Sequence, residues 1–149
     1  MAAKTFTAQL KDFEDLTVQN LRYVAAEAIQ DVVEAAQTPQ PSVKRTGGTF
    51  EEGKIPVDDG DLVASLNSRI AGGGGETGEA SYVTAIAGME LGDRLEFEWA
   101  IEYALRVEAG FSGTDELGRT YNQAGRHFVG ANAARFSEFV EKHVAEVKK

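Results

Sequence analysis

Apolar residues recur along this chain at two different periods, and the alternation between them lays out the fold. From about Asp15 to Ala36, Leu21, Val24, Ala25, Ala28, Ile29, Val32, Val33 and Ala36 fall three and four apart. That spacing makes one apolar stripe on a helix. Asp15 or Thr17 is placed to cap its start. Pro39 and Pro41 end it, because proline lacks the N–H the ladder needs and restricts the residue before it. A second helix is predicted from about Val129 to Val147, with Ala133, Phe136, Phe139, Val140, Val144 and Val147 on its inner face.

Between them the period shortens. Arg94 to Trp99 alternates strictly, Leu95, Phe97 and Trp99 against Arg94, Glu96 and Glu98, which is the pattern of a strand with one wet face. Ser81 to Met89, rich in β-branched and small residues, predicts a partner strand across a Gly92-Asp93 turn. Leu66 to Ala71 reads as extended, after a helical turn at Leu62–Ser65 capped by Asp58 or Asp59. Residues 38–61, punctuated by Pro39, Pro41, Gly47, Gly48, Gly53, Pro56 and Gly60, read as a long loop. Gly72–Gly78 reads as a flexible connection and Gly110–Gly125 as a second long loop. Tyr103–Glu108 fits a short helix or a strand equally. No internal repeat is visible. The expectation is one α+β domain over 1–149: a small antiparallel sheet of three to four strands packed with an N-terminal and a C-terminal helix, with long mobile loops.

Composition supports a folded chain. Its 149 residues, 42% hydrophobic and 26% charged, suit a single domain with a real core. No apolar run approaches the roughly 20 residues of a membrane span, and Met1–Leu10 lacks the apolar centre of a secretion signal. Cysteine is absent, which removes disulfides and thiol chemistry and fits a reducing cytoplasm. Charge is uneven around a net of −9. Residues 90–116 hold eight acids against Arg94 and Arg106, whereas from 117 onward six bases outnumber three acids. Such a surface repels a phosphate backbone over most of its area.

The catalytic motifs are near misses. Gly48-Thr-Phe-Glu-Glu-Gly53-Lys54-Ile55 is one residue from a phosphate loop, but Ile55 offers no magnesium ligand and Pro56 blocks the helix that must follow. His127 and His143, sixteen apart, read as surface histidines rather than metal ligands. Gly110-Phe-Ser112-Gly113 only superficially resembles a nucleophile elbow. Glu96 and Glu98 fall on an exposed strand face, where two carboxylates do not acquire separated pKa values. Phe97, Trp99, Phe128, Phe136 and Phe139 read as core at their helical and strand spacing. Neither cofactor nor metal is expected.

Two segments carry shape rather than chemistry. In Pro56-Val57-Asp58-Asp59-Gly60-Asp61-Leu62-Val63-Ala64-Ser65-Leu66, Pro56 presets its φ, Asp58 can accept from nearby N–H groups, and Gly60 permits a turn that a Cβ disfavours. Leu62 and Leu66 then point into a core. In Tyr103-Ala104-Leu105-Arg106-Val107-Glu108-Ala109-Gly110, Tyr103 and Val107 bring apolar bulk and Gly110 marks another bend.

In these two segments, in this order and between two helices, the chain resembles the small neck or tail-completion proteins of lambda-like long-tailed bacteriophages and prophages. That family shows Pro-Val-Asp-Thr-Gly-x-Leu-Arg-x-Ser followed by Tyr-Ala-x-x-(Val/Ile/Leu)-Glu-x-Gly. Pro56, Val57, Asp58, Gly60, Leu62 and Ser65 match the first pattern; Tyr103, Ala104, Val107, Glu108 and Gly110 match the second. Asp59 stands in place of Thr and Val63 in place of Arg, removing one half of any ion pair to Glu108. The resemblance spans roughly residues 10–147.

It implies a non-enzymatic virion protein of the phage neck, assembled in the host cytoplasm. Its expected form is a homo-oligomeric ring, a hexamer, that contacts the tail tube protein and the head connector and lets DNA pass without specific binding; no membrane is involved. A ring needs two different patches that meet head to tail. The expected contacts are Glu96, Glu98, Asp115 and Glu116 against Arg119 and Arg126, with the loops at 42–60, 72–78 and 110–125 ordering on assembly. The alternatives are a small hydrolase using carboxylates among Glu96, Glu98, Glu102 and Glu108, and an acidic regulatory module that binds a basic partner.

Overall fold

Thr5 opens the first helix: its Oγ1 accepts from the Ala8 N–H at 3.1 Å, satisfying one of the donors a helix start leaves free. The computed structural model describes residues 5–148. Helix α1 (Phe6–Ala36) runs for 31 residues and so begins nine residues before the expected Asp15. The apolar row Phe6, Leu10 and Phe13 continues the stripe upstream, but these side chains stand in solvent. Burial begins at Val24 and Ala28 and continues at Val33 and Ala36. The chain then forms β1 (Pro39–Pro41), a turn of helix α2 (Val43–Thr46), β2 (Ile55–Val57) and helix α3 (Asp61–Ala64). Strands β3 (Leu66–Ile70) and β4 (Gly75–Thr77) precede helix α4 (Ser81–Ala87), and β5 (Leu95–Trp99) follows it. Helix α5 (Ala104–Ala109), strands β6 (Gly110–Thr114) and β7 (Thr120–Ala124), and helices α6 (Gly130–Ala133) and α7 (Phe136–Val147) complete the order.

The fold is α+β. A three-stranded antiparallel sheet has the order β4-β3-β5, with Ser68 opposite Phe97 and Leu66 opposite Trp99. Strands β6 and β7 form a separate antiparallel hairpin, and β1 and β2 a short parallel pair. All three prolines of the chain lie in that parallel pair, at 39, 41 and 56. Helix α1 packs along α7 and also meets α4 and α6. Ala36, Ile55, Leu62, Val63 and Phe128 form the buried cluster, with Val57, Trp99, Ile101, Ala104, Val107 and Val129 packed on it.

Four further expectations about secondary structure change. Ser81–Met89 is not a strand but carries helix α4, and β5 pairs with β3 instead of with it. Tertiary contacts override β-propensity here. Arg22 donates from Nε to the Met89 carbonyl at 2.8 Å and from its terminal nitrogen to that of Ala87 at 2.9 Å, closing the helix end that a cation suits. The Ser81 hydroxyl donates to the Leu66 carbonyl at 3.0 Å and meets Ser68 Oγ at 2.8 Å, anchoring the helix to β3. Second, residues 110–125 are a hairpin rather than a loop. The Asp115 carboxylate ties its turn by accepting from the Leu117 and Arg119 N–H groups, Arg119 Nε and the Tyr121 hydroxyl. Third, segments 38–61 and 72–78 hold β1, α2, β2 and β4. Fourth, the closing helix is split at Ala134-Arg135 into α6 and α7.

Two buried side chains join distant elements. Gln37, 5% exposed, accepts from Trp99 Nε1 at 2.8 Å and donates to the carbonyls of Val63 and Glu79, each at 2.9 Å. His143 is 4% exposed and not a surface histidine. Its Nε2 lies 2.6 Å from Asp31 Oδ2 on α1 and its Nδ1 2.9 Å from Glu146 Oε2. Glu146 also accepts from the Tyr23 hydroxyl at 2.6 Å, and that bond pushes the phenol up to about 12. Lys142 Nζ stands 3.5 Å from the same Asp31 oxygen. Burial opposes the imidazolium, but the bonds from Glu146 and Asp31 outweigh it and raise the pKa above 6.5. The Tyr23 and His143 bonds hold the Glu146 carboxyl below its usual range.

Gln37→Met should lower unfolding free energy by about 3 kcal/mol in urea titration, because it strands one buried donor and two carbonyls. The His143 pair makes stability depend on pH in a defined direction. A raised histidine pKa stabilises fully below about 6.5 and loses that contribution as pH rises through the folded value. The melting temperature of the native chain should therefore fall from pH 6 to pH 8 more than that of His143→Gln. Equal slopes would show that the imidazole is not charged in the fold.

Candidate functional site

The first signature is built from the end of β2 to the start of β3. The Ile55 N–H donates to the Thr38 carbonyl at 3.0 Å, starting the parallel pair. Gly60 has φ +89°, a left-handed conformation that L side chains avoid. Its carbonyl accepts from Ala64 N–H at 3.0 Å, beginning α3. Asp59 Oδ1 accepts from Asp61 N–H at 3.3 Å, so of the two expected capping acids it is Asp59 that serves this turn. Asp58 instead faces α2: Arg45 donates from Nε to its carboxylate at 3.3 Å and from a terminal nitrogen to its carbonyl at 2.7 Å, and Lys44 stands 3.9 Å away. Leu62, Val63 and Leu66 are buried. The Ser65 hydroxyl donates to the Leu62 carbonyl at 2.7 Å, closing the turn.

The second signature resolves as helix α5. Val107 N–H donates to the Tyr103 carbonyl at 3.2 Å, and the Val107 carbonyl accepts from Arg126 N–H at 2.8 Å. Among the described residues Glu108 makes no ion pair of the kind an Arg at position 63 would offer. Its two carboxylate oxygens accept from the Val129 and Gly130 N–H groups at 2.9 and 2.8 Å, satisfying donors at the start of α6. Gly110 ends the helix at φ +87°, and a Cβ there would lie 2.6 Å from the Gln123 carbonyl oxygen. Only glycine admits that approach of the α5 end to the foot of the hairpin.

The two signatures meet. Val57, Leu62, Ala104 and Val107 share one apolar cluster. On its outer side Pro56, Asp58, Gly60, Leu62, Tyr103 and Val107 line one cleft of about 310 Å³. Burial, then the charges of Asp59, Asp61 and Asp58, push the Tyr103 phenol up.

Arg126 borders the same cleft and is 2% exposed. One terminal nitrogen donates to the Ala124 carbonyl at 2.7 Å, and the guanidinium carbon lies 4.3 Å from the centre of the Phe50 ring. Its Nε is buried without a hydrogen-bond partner. Among the described residues no carboxylate pairs with it, and burial lowers its pKa. A buried cation left so incompletely satisfied is unusual.

The other expected contact residues scatter. Glu96 lies between Arg69 and Arg94, whose hydrogen bonds hold its carboxyl low; that is the opposite of a general acid. Glu98 and Glu116 are exposed. Asp115 and Arg119 pair with each other at 2.6 Å within one turn. The near phosphate loop is no cradle: Lys54 pairs with Glu51 at 2.5 Å and Ile55 enters β2. Among the described residues no group of three or more His, Asp or Glu is arranged to hold a metal, and no helix is long and apolar enough to cross a membrane. The chain matches no family model, no curated protein and no solved structure in comparisons with known proteins.

The first signature makes a sharp test. Leu62→Asp should cost about 3 kcal/mol or more, since it buries a charge. Gly60→Val should cost about 1–2 kcal/mol through backbone conformation alone, because nothing lies within 4 Å of a Cβ built there. Denaturant titration of both variants measures these losses, and unchanged midpoints would remove the signature from the folding core.

Proposed function

We propose that this chain is a structural protein of the phage neck, forming a six-membered ring that completes the tail and joins it to the head connector. The reading rests on the resemblance of the two signatures. The observation that best supports it is their convergence on one apolar cluster and one cleft, although Tyr103 follows Pro56 by 47 positions. Shape signatures that build a common surface suit a subunit whose work is holding neighbours in register. A row of large apolar side chains left in water along one face of α1 points the same way: Phe6, Leu10 and Phe13 are 74%, 52% and 69% exposed. Contiguous exposed apolar groups are characteristic of surfaces that meet other proteins. The net charge of −9 lets DNA pass a channel wall without binding it.

In this reading the protein resides in the virion and assembles in the host cytoplasm, without a cofactor. Native mass measurement of the purified chain, with negative-stain microscopy after mixing with tail tubes and connectors, tests it. The expected result is a closed ring of six copies seated at the tube end. A chain that stays monomeric and binds neither tubes nor connectors would overturn the assignment.

A further inference from the structure

The first half of α1 presents an apolar row, Phe6, Leu10 and Phe13, that the described residues leave exposed. Phe6, Leu10 and Phe13 stand at i, i+4 and i+7 and are 74%, 52% and 69% exposed. On a helix of 3.6 residues per turn they lie on one line with Val24 and Ala28, which are buried at 8% and 0%. The same row is therefore covered where the body of the protein lies beside it and bare where the body ends. The bare stretch, residues 6–20, extends about 22 Å at 1.5 Å per residue. It carries three acids against Lys11. Lys11 is bonded to Asp15 at 3.0 Å, and among the described residues no cation is bonded to Glu14, which lies beside the apolar row.

A cleft of the opposite character lies between the α2–β2 connection and the hairpin. It measures about 650 Å³ and is lined by Phe50, Phe111, Tyr121, Asn122, Gln123 and Arg126 among others, with no carboxylate in its wall. Arg126 reaches it through the Phe50 ring and the Ala124 carbonyl that it contacts, both of which line the cleft. The guanidinium is nine-tenths or more buried, has a free Nε and lacks a counter-ion among the described residues. One surface is thus apolar and acidic, and the other is aromatic with a buried cation lacking its partner.

We propose that the projecting half of α1 docks into the Phe50–Tyr121–Arg126 cleft of a second copy of this chain. Phe6, Leu10 and Phe13 enter as the anchors of a helix in a groove, and an acid of the arm, Glu14, supplies the carboxylate that Arg126 lacks. The two surfaces differ, so the contact is heterologous: each copy gives an arm to one neighbour and receives an arm from the other, as a ring requires. This deepens the ring reading and rests on it for closure.

The test compares the native full chain with three variants. The arm variant is Phe6→Asp with Phe13→Asp, both at exposed positions. The cleft variant is Phe50→Ala with Arg126→Gln. A second cleft variant, Asn122→Trp, fills the groove from an exposed strand and leaves Arg126 in place, so a folding defect cannot imitate a lost contact. Sedimentation and native mass spectrometry should show the native chain assembled and each variant alone weakened at least tenfold. An equimolar mixture of arm and cleft variants should give a one-to-one heterodimer and nothing larger, because only one intact contact remains. Rings that persist in the arm variant would overturn the docking and leave the ring reading standing. A cleft variant that still dimerises while the arm variant does not would mean that arms pair with arms, and would also overturn it. A native chain that is monomeric alone but seats on tubes through its arm would overturn self-docking and keep the neck assignment. A monomer that binds neither would remove both.

Discussion

The Gln37 side-chain amide is the point on which the architecture turns. It sits one residue past the end of α1, buried, with its oxygen taken by the indole of Trp99 and its nitrogen shared between the carbonyls of Val63 and Glu79. One group thereby joins the long helix, the turn of the first signature, the segment entering α4 and the last residue of β5. A buried amide is tolerated only when its donors and acceptors are met, so these elements must adopt one mutual arrangement. Three residues on, Gln40 repeats the device, donating to the carbonyls of Glu51 and Lys54 and accepting from the Glu51 N–H, each at 2.7 Å. Two glutamines around Pro39 thus organise a segment that contains little regular structure.

Much of this was legible from residue pattern, and the losses have physical causes. Periodicity located the body of α1, the helical turn after Gly60, strand β3 and the alternating strand β5. It did not extend the stripe to Phe6, Leu10 and Phe13, which keep the helical spacing but stand exposed. It took Ser81–Ala87 for a strand because the bonds that make it a helix, from Arg22 and to Leu66, come from residues 15 or more positions away. The hairpin from Gly110 to Ala124 has no apolar alternation to betray it. Its strands are held by backbone pairing and by one aspartate at the turn. A wet, glycine-rich ribbon is indistinguishable from a loop until it is folded.

The candidate site divides in the same way. Gly60, Leu62, Tyr103, Val107 and Gly110 were recognisable as shape-setting residues, and the fold brings the first four to one cleft while Gly110 meets the foot of the hairpin. The tasks of Glu108 and Arg126 were not. Glu108 spends its charge on backbone N–H groups 21 and 22 residues on, a role invisible to any local rule. Arg126 resembled a surface base in a basic tail, yet its backbone is pinned to Val107 beside the close-packed glycines at the foot of the hairpin. Its side chain is consequently held inside. Of the charges expected to link subunits, Asp115 and Arg119 pair with each other, and Glu96 is taken by Arg69 and Arg94 within the chain. Among the described residues, Arg126 is left with a buried Nε that has no partner, and one face of α1 is left exposed.

The parallel pair β1–β2 has a further consequence. Its six residues include every proline in the chain, at 39, 41 and 56, and a proline has no hydrogen to offer a third strand. Such a ribbon cannot be lengthened sideways by a stray peptide or by a sister molecule in the same register. In a crowd of identical copies, the chain therefore carries a built-in barrier against fibre growth along this edge.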